Sequence, residues 1–233
     1  MASISAFKGG FAKLVLVHHL LLPWVLVLAE GRDSHRHSTT IADPTKGFVA
    51  LPLTVSHMEV QWPYDLREEE RYSYRNGVHT LEVYSTDKPH TRDSHTKPRT
   101  EVRITGYDYS SGVWQFEGQG YVPRGTSGVC VMQVFGAGTG GHASTVAIRV
   151  YDGALAAYRS TIVPDIYDRW FRLNVIHDVE AREVVVYVDR VLVYQGGDHG
   201  GSSHYFKFGV YAQDGASDYM ESRWKGIKIF NKK

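Results

Sequence analysis

Residues 97–112 run KPRTEVRITGYDYSSG, in which Arg99, Glu101 and Arg103 alternate with Thr100, Val102 and Ile104. Successive side chains of a strand point to opposite faces. The stretch therefore predicts a strand with two guanidinium groups and one carboxylate on one face and an apolar row on the other. Ser110-Ser111-Gly112 supplies the turn after it.

The same alternation runs from about residue 78 to the C-terminus, through HTLEVYST (79–86), VWQFEGQGYV (113–122), GVCVMQVFGA (128–137), STVAIRVYD (144–152) and LAAYRSTIV (155–163). It continues through WFRLNVIHD (170–178), EVVVYVDRVLVYQ (183–195), HYFKFGVYAQ (204–213) and RWKGIKIF (223–230). Turn formers such as Pro123-Arg124-Gly125 and Asp152-Gly153 separate them. Many β-branched and aromatic strands with short turns predict an all-β fold, a jelly-roll β-sandwich of two antiparallel sheets with a concave polar groove. Ile104, Val131, Ile148, Phe206 and Phe208 are expected to face inward. Three rows each fall together on one face of their strand: Arg99, Glu101 and Arg103; Val131, Gln133 and Phe135; and Tyr205, Lys207, Gly209, Tyr211 and Gln213. Arg149 and Tyr151 form a similar pair. Only YDLREEERYSYRNG (64–77) departs from the pattern, and it is expected to be a helical turn or a charged loop.

With 233 residues, 42% of them hydrophobic, the chain can build one self-sufficient core. Its 26 basic and 25 acidic residues leave a net charge of +1, so no global field selects nucleic acid or an anionic membrane, and any anion site must be local. Lys8 and Lys13 precede the apolar run LVLVHHLLLPWVLVLA (14–29), the layout of a secretory signal peptide over residues 1–29. Residues 30–42 are polar and aperiodic and are expected to be a flexible mature N-terminus, with His35 and His37 solvated, ahead of one domain over 43–233. After cleavage no membrane segment is expected. Cys130 is the single cysteine, so no intramolecular disulfide exists, and its apolar flanks predict a buried small hydrophobe rather than a catalytic thiol.

Three blocks, RTEVR (99–103), MQVFG (132–136) and YFKFGVYAQ (205–213), resemble in order the signature blocks of the alginate-lyase-like jelly rolls, which include alginate and glucuronan lyases. In alginate-type lyases these blocks read approximately R-x-E-x-R, Q-I-H and Y-F-K-A-G-x-Y-x-Q. GFVALPLT (47–54), PYDL (63–66), YDRWFRLNVIHD (167–178) and YMESRWKGIKI (219–229) also look like a plant branch of this superfamily that binds citrate in the vacuole. That likeness extends from about residue 43 to the C-terminus.

The resemblance implies a uronate or carboxylate site formed by Arg99, Glu101, Arg103, Gln133, Lys207, Tyr211 and Gln213. In a lyase, Arg99 and Gln133 would neutralise the C6 carboxylate, Lys207 would add charge and Tyr211 would be the acid, or both acid and base. The departure is Phe135, which stands where the family has its histidine base. A lyase would then need either Tyr211 with its pKa lowered by flanking cations, or His90 or His95 reaching in from the preceding loop. A carboxylate binder needs no base, so binding of citrate or another small carboxylate ranks first, a lyase acting on glucuronan or a related acidic polysaccharide second, and a wall-associated lectin third. The chain is expected to be a monomer without cofactor or metal, since the sequence holds no metal-ligand motif. The glycine-rich FGAGTGG (135–141) and GGDHGGSSH (196–204) are expected to be connections. The vacuole is the expected destination, with the cell exterior as the alternative.

Overall fold

The computed structural model describes residues 43–136, 138 and 143–232. The expected leader, the segment 30–42 with His35 and His37, and most of the 135–141 connection lie outside the described residues. The chain forms β1 (Val49–Ala50), β2 (Met58–Gln61), β3 (Tyr72–Arg75), β4 (Val78–Tyr84), β5 (Arg99–Ile104), β6 (Val113–Tyr121), β7 (Val129–Phe135) and β8 (Ser144–Tyr151). These are followed by β9 (Ala154–Ala157), β10 (Ser160–Val163), β11 (Trp170–Asp178), β12 (Glu183–Val188), β13 (Val191–Gly197), β14 (Tyr205–Ala212) and β15 (Tyr219–Lys232). One sheet runs β13-β12-β11-β6-β15-β4-β3, with β1 also on β15, and the other runs β10-β9-β8-β7-β14-β5-β2. Every paired strand is antiparallel. The two sheets enclose one core, the expected β-sandwich.

Four details depart from simple alternation. Residues 64–77 contain both a 3-10 turn, Glu68–Glu70, and strand β3. The stretch 183–195 is two strands, because Asp189 and Arg190 both take positive φ (51° and 69°) and reverse the chain without glycine or proline. The stretch 155–163 is likewise a hairpin, turned at Tyr158 (φ 54°). Fourth, the β7 ladder slips against β8 between Cys130 and Met132. Val131 and Met132 therefore both join the core, as Ile104, Ile148, Phe206 and Phe208 do. Cys130, not Val131, shares the outer face with Gln133 and Phe135. It is buried, as its apolar flanks suggested, and burial pushes its thiol up to about 12.

The core is aromatic at its centre. Trp224 of β15 packs against Phe116 at 5.9 Å and against Phe208, from the opposite sheet, at 5.8 Å between ring centroids. A polar link crosses the core at this point: Trp224 Nε1 donates to Ser222 Oγ, which donates to the Gly209 carbonyl at 2.7 Å. Gly209 (φ +143°) lies opposite Glu101 in the β14–β5 ladder. A Cβ there would lie 2.4 Å from the Thr100 carbonyl oxygen, so only glycine permits this approach. Gly209 falls where β14 carries an extra residue against β7, and the slip leaves Val210 in the core with Tyr211 on the groove face.

Two predictions concern stability. Gly209→Ala combines positive φ with a backbone clash and should cost about 2–4 kcal/mol, measured by urea denaturation; a loss below about 0.5 kcal/mol would contradict the packing described. The second is pH-dependent. His79, His177 and His204 are buried, and desolvation lowers all three pKa values, His79 from 6.5 to about 4. Neutral imidazole is thus favoured in the folded state, so stability is full above the unfolded value and declines as pH falls toward 4. His79 alone contributes about 3 kcal/mol to that decline, and a urea midpoint unchanged between neutral pH and about pH 4.5 would refute it.

Candidate functional site

β5, β14 and β7 are neighbours in the middle of their sheet although they are about a hundred residues apart at the extremes of sequence separation. Lys207 pairs with Arg103 on one side and Gln133 on the other, and Tyr211 pairs with Arg99 and Cys130. Strand alternation then brings Arg99, Gln133 and Tyr211 onto one surface. They line a groove of about 470 Å³ together with Arg149, Tyr158 and Phe135. Gln213 closes one end, its amide donating to the Tyr211 and Ala212 carbonyls.

Beneath the groove lies Glu101, 1% exposed. Its carboxylate accepts from Lys207 Nζ at 2.7 Å, from Gln133 Nε2 at 2.6 Å and from Arg99 Nη1 at 3.4 Å. Ser144 Oγ donates to Gln133 Oε1 and fixes the amide orientation. Lys207 is 2% exposed and its pKa is lowered, by burial first and by repulsion from Arg99, against the pull of Glu101. Glu101 and Lys207 thus form a buried floor and do not line the groove. This corrects the expectation that both would meet the ligand. Arg103 is also diverted, its guanidinium donating to Asp108 at 2.6 Å and stacking on Tyr205 at 4.0 Å.

The cations that do line the groove are Arg99 and Arg149. Arg99 lies 3.9 Å from the Tyr211 ring centroid and Arg149 lies 5.3 Å from that of Tyr158. Among the described residues the Nε of each is buried without a protein acceptor, and Arg149 has no ion pair. No carboxylate lines the groove among the described residues. Tyr158, missing from the sequence-derived set, donates its hydroxyl to the Ser144 carbonyl and bonds His199 Nδ1 at 2.8 Å. It was hidden because 155–163 scans as one strand; Arg149 was legible as a polar-face residue, but not its place in the groove.

The candidate bases fare differently. Phe135 stacks on Tyr205 at 4.9 Å. His90 Nδ1 is engaged by the Trp62 carbonyl at 2.9 Å, and His95 is exposed and does not line the groove. Burial raises the Tyr211 pKa more than Arg99 lowers it, so the cations do not turn the phenol into a base. At neutral pH Tyr211 is a hydrogen-bond donor.

A jelly-roll sandwich with this three-strand constellation defines a polysaccharide-lyase-like protein, and the sequence model of the alginate lyase family matches residues 49–231. The chain belongs to that family. Among particular relatives, it is 53% identical over 226 residues to the citrate-binding protein of Hevea brasiliensis, covering 96% of this chain and 88% of that one. Solved folds agree. The alginate lyase AlgAT5 of polysaccharide lyase family 7 superposes with a TM-score of 0.59 at 14% identity, covering 75% of this chain and 94% of that chain. The alginate lyase from Corynebacterium sp. gives 0.54 at 15% identity, covering 68% and 80%.

The floor makes its own prediction. Glu101→Gln leaves Lys207 as a buried unpaired charge and should cost about 3–5 kcal/mol. Adding Lys207→Met should recover part of that loss in a double-mutant cycle, and strictly additive losses would refute the coupling.

Proposed function

We propose that the groove binds citrate or a closely related small polycarboxylate and holds it without chemical change. The observation that carries this reading is the pair of lining guanidinium groups, Arg99 and Arg149, each with a buried donor lacking a protein acceptor, in a groove with no acidic lining group among the described residues. Arginine meets carboxylate in a planar, two-point geometry, so two arginines suit two of citrate's three carboxylates. The Tyr211 hydroxyl and the second amide hydrogen of Gln133 are placed to donate to the third, or to the hydroxyl. The name of the Hevea relative supports the same ligand.

β-Elimination requires a base at the C5 proton. The ionisable side chains lining the groove among the described residues are two arginines, a thiol pushed up to about 12 and two tyrosines with raised pKa values. None is a base at neutral pH, and Phe135 fills the position where the family resemblance places histidine. The apolar run of residues 14–29 supports passage through the secretory pathway, and the likeness to the citrate-binding branch favours the vacuole as its end.

Calorimetric titration with citrate, in parallel with absorbance assays for unsaturated uronates on alginate and glucuronan, tests this. Arg99→Ala and Arg149→Ala should each weaken citrate binding by about 1.5–3 kcal/mol, roughly ten- to hundredfold. Phe135→His should leave citrate affinity unimproved. Release of unsaturated uronates by the wild type, abolished by Tyr211→Phe, would replace the binder with a lyase.

A further inference from the structure

At the opposite margin of the sandwich, the edge strands β2 and β3 belong to different sheets and leave the interior open between them. A cavity of about 290 Å³ enters there. Leu53, Met58 and Val60 form its wall on one side, and Tyr72, Tyr74 and His79 form the other. The volume lies just below the range of drug-sized sites, about 300–1,000 Å³, and suits a smaller molecule. Val55 (75% exposed) and Tyr74 (52% exposed) stand at its mouth, two of the large apolar side chains that the fold leaves in solvent.

His79 brings a polar ring atom to this cavity. His79 is 4% exposed, packs edge-on against Phe208 and lies under Tyr74 at 4.4 Å between ring centroids. Its Nδ1 bonds the Tyr72 hydroxyl at 2.9 Å, whereas its Nε2 has no protein partner among the described residues and the ring lines the cavity. Nε2 is not among the fully buried unpaired atoms, so it is open to the cavity and free to bond a molecule that enters there.

We propose that this cavity is a second binding site, for a small apolar ring carrying one hydroxyl group, a simple phenol. The aliphatic wall and the tyrosine faces accept the ring. The hydroxyl meets Nε2 whichever tautomer the Tyr72 contact selects, because a hydroxyl both donates and accepts. A carboxylate is disfavoured, since the imidazole is held neutral by burial and Glu68 also lines the cavity. The site is separate from the anion groove and shares no lining residue with it.

Calorimetry with 4-ethylphenol and ethylbenzene as probes tests the assignment. The phenol should bind, with ethylbenzene roughly fivefold weaker or more, the loss expected for one neutral hydrogen bond. His79→Phe should remove the discrimination between the two. Val55→Trp, a change at an exposed position that blocks the mouth, should abolish binding of the phenol while citrate titration of the same variant stays at the wild-type value, showing that the variant is folded. Arg99→Ala should leave phenol binding unchanged. Absence of phenol binding to the wild type, equal affinity for the two probes, or binding that survives Val55→Trp would each overturn the proposal.

Discussion

The carboxylate of Glu101 is the constraint on which the groove depends. An ionised side chain 1% exposed is tolerated only when its oxygens are saturated. Here Lys207, Gln133 and Arg99 saturate them from three adjacent strands. Ser144 extends the network to β8 through Gln133. Satisfying one charge therefore fixes the relative register of β5, β14, β7 and β8. A slip of one residue would reverse every side chain and bury the charges against the apolar core. Gly209 belongs to the same device, because the close approach it permits brings β14 against Thr100 and Glu101.

This arrangement also decides which charges a ligand meets. Two cations that the sequence places on the groove face are absorbed within the protein, Lys207 by Glu101 and Arg103 by Asp108. Arg149 enters instead, because β8 lies beside β7 and the hairpin turned at Tyr158 supplies the ring over which its guanidinium rests. Arg99 touches Glu101 at 3.4 Å and also lies over the Tyr211 ring, 3.9 Å from its centroid, at the groove surface. The groove is thus positive without an ionisable group that accepts a proton near neutrality among its described lining. The same framework that in a lyase would position a base carries here the aromatic stack of Phe135 on Tyr205.

The two margins of the sandwich are handled unequally. Beyond the groove, the β9–β10 hairpin extends the sheet, with Leu155, Ala156 and Ala157 buried and Ser160 and Thr161 exposed. At β2 and β3 the gap is lined by aliphatic and tyrosine side chains together with Thr54, Glu68 and His79. An open margin exposes backbone and core alike, and the two 3-10 turns, Val55–His57 and Glu68–Glu70, each contribute a residue to its lining.

The sequence by itself determined the all-β class, the inward rows and the membership of Arg99, Gln133 and Tyr211 in one face, because period-2 alternation is a local property of extended backbone. The three signature blocks were legible for the same reason. What tertiary structure decided is everything that depends on which strands are neighbours and where a ladder slips. Cys130 replaced Val131 on the groove face through a bulge that leaves no mark in the alternation, and the turns at Tyr158 and Asp189-Arg190 lack the glycine or proline that marks other turns of the chain. Whether a charge is offered to a ligand or satisfied inside the protein was equally illegible. Lys207 and Arg99 read alike in sequence, and only the position of Glu101 between three strands separates a buried ion pair from a guanidinium facing the groove.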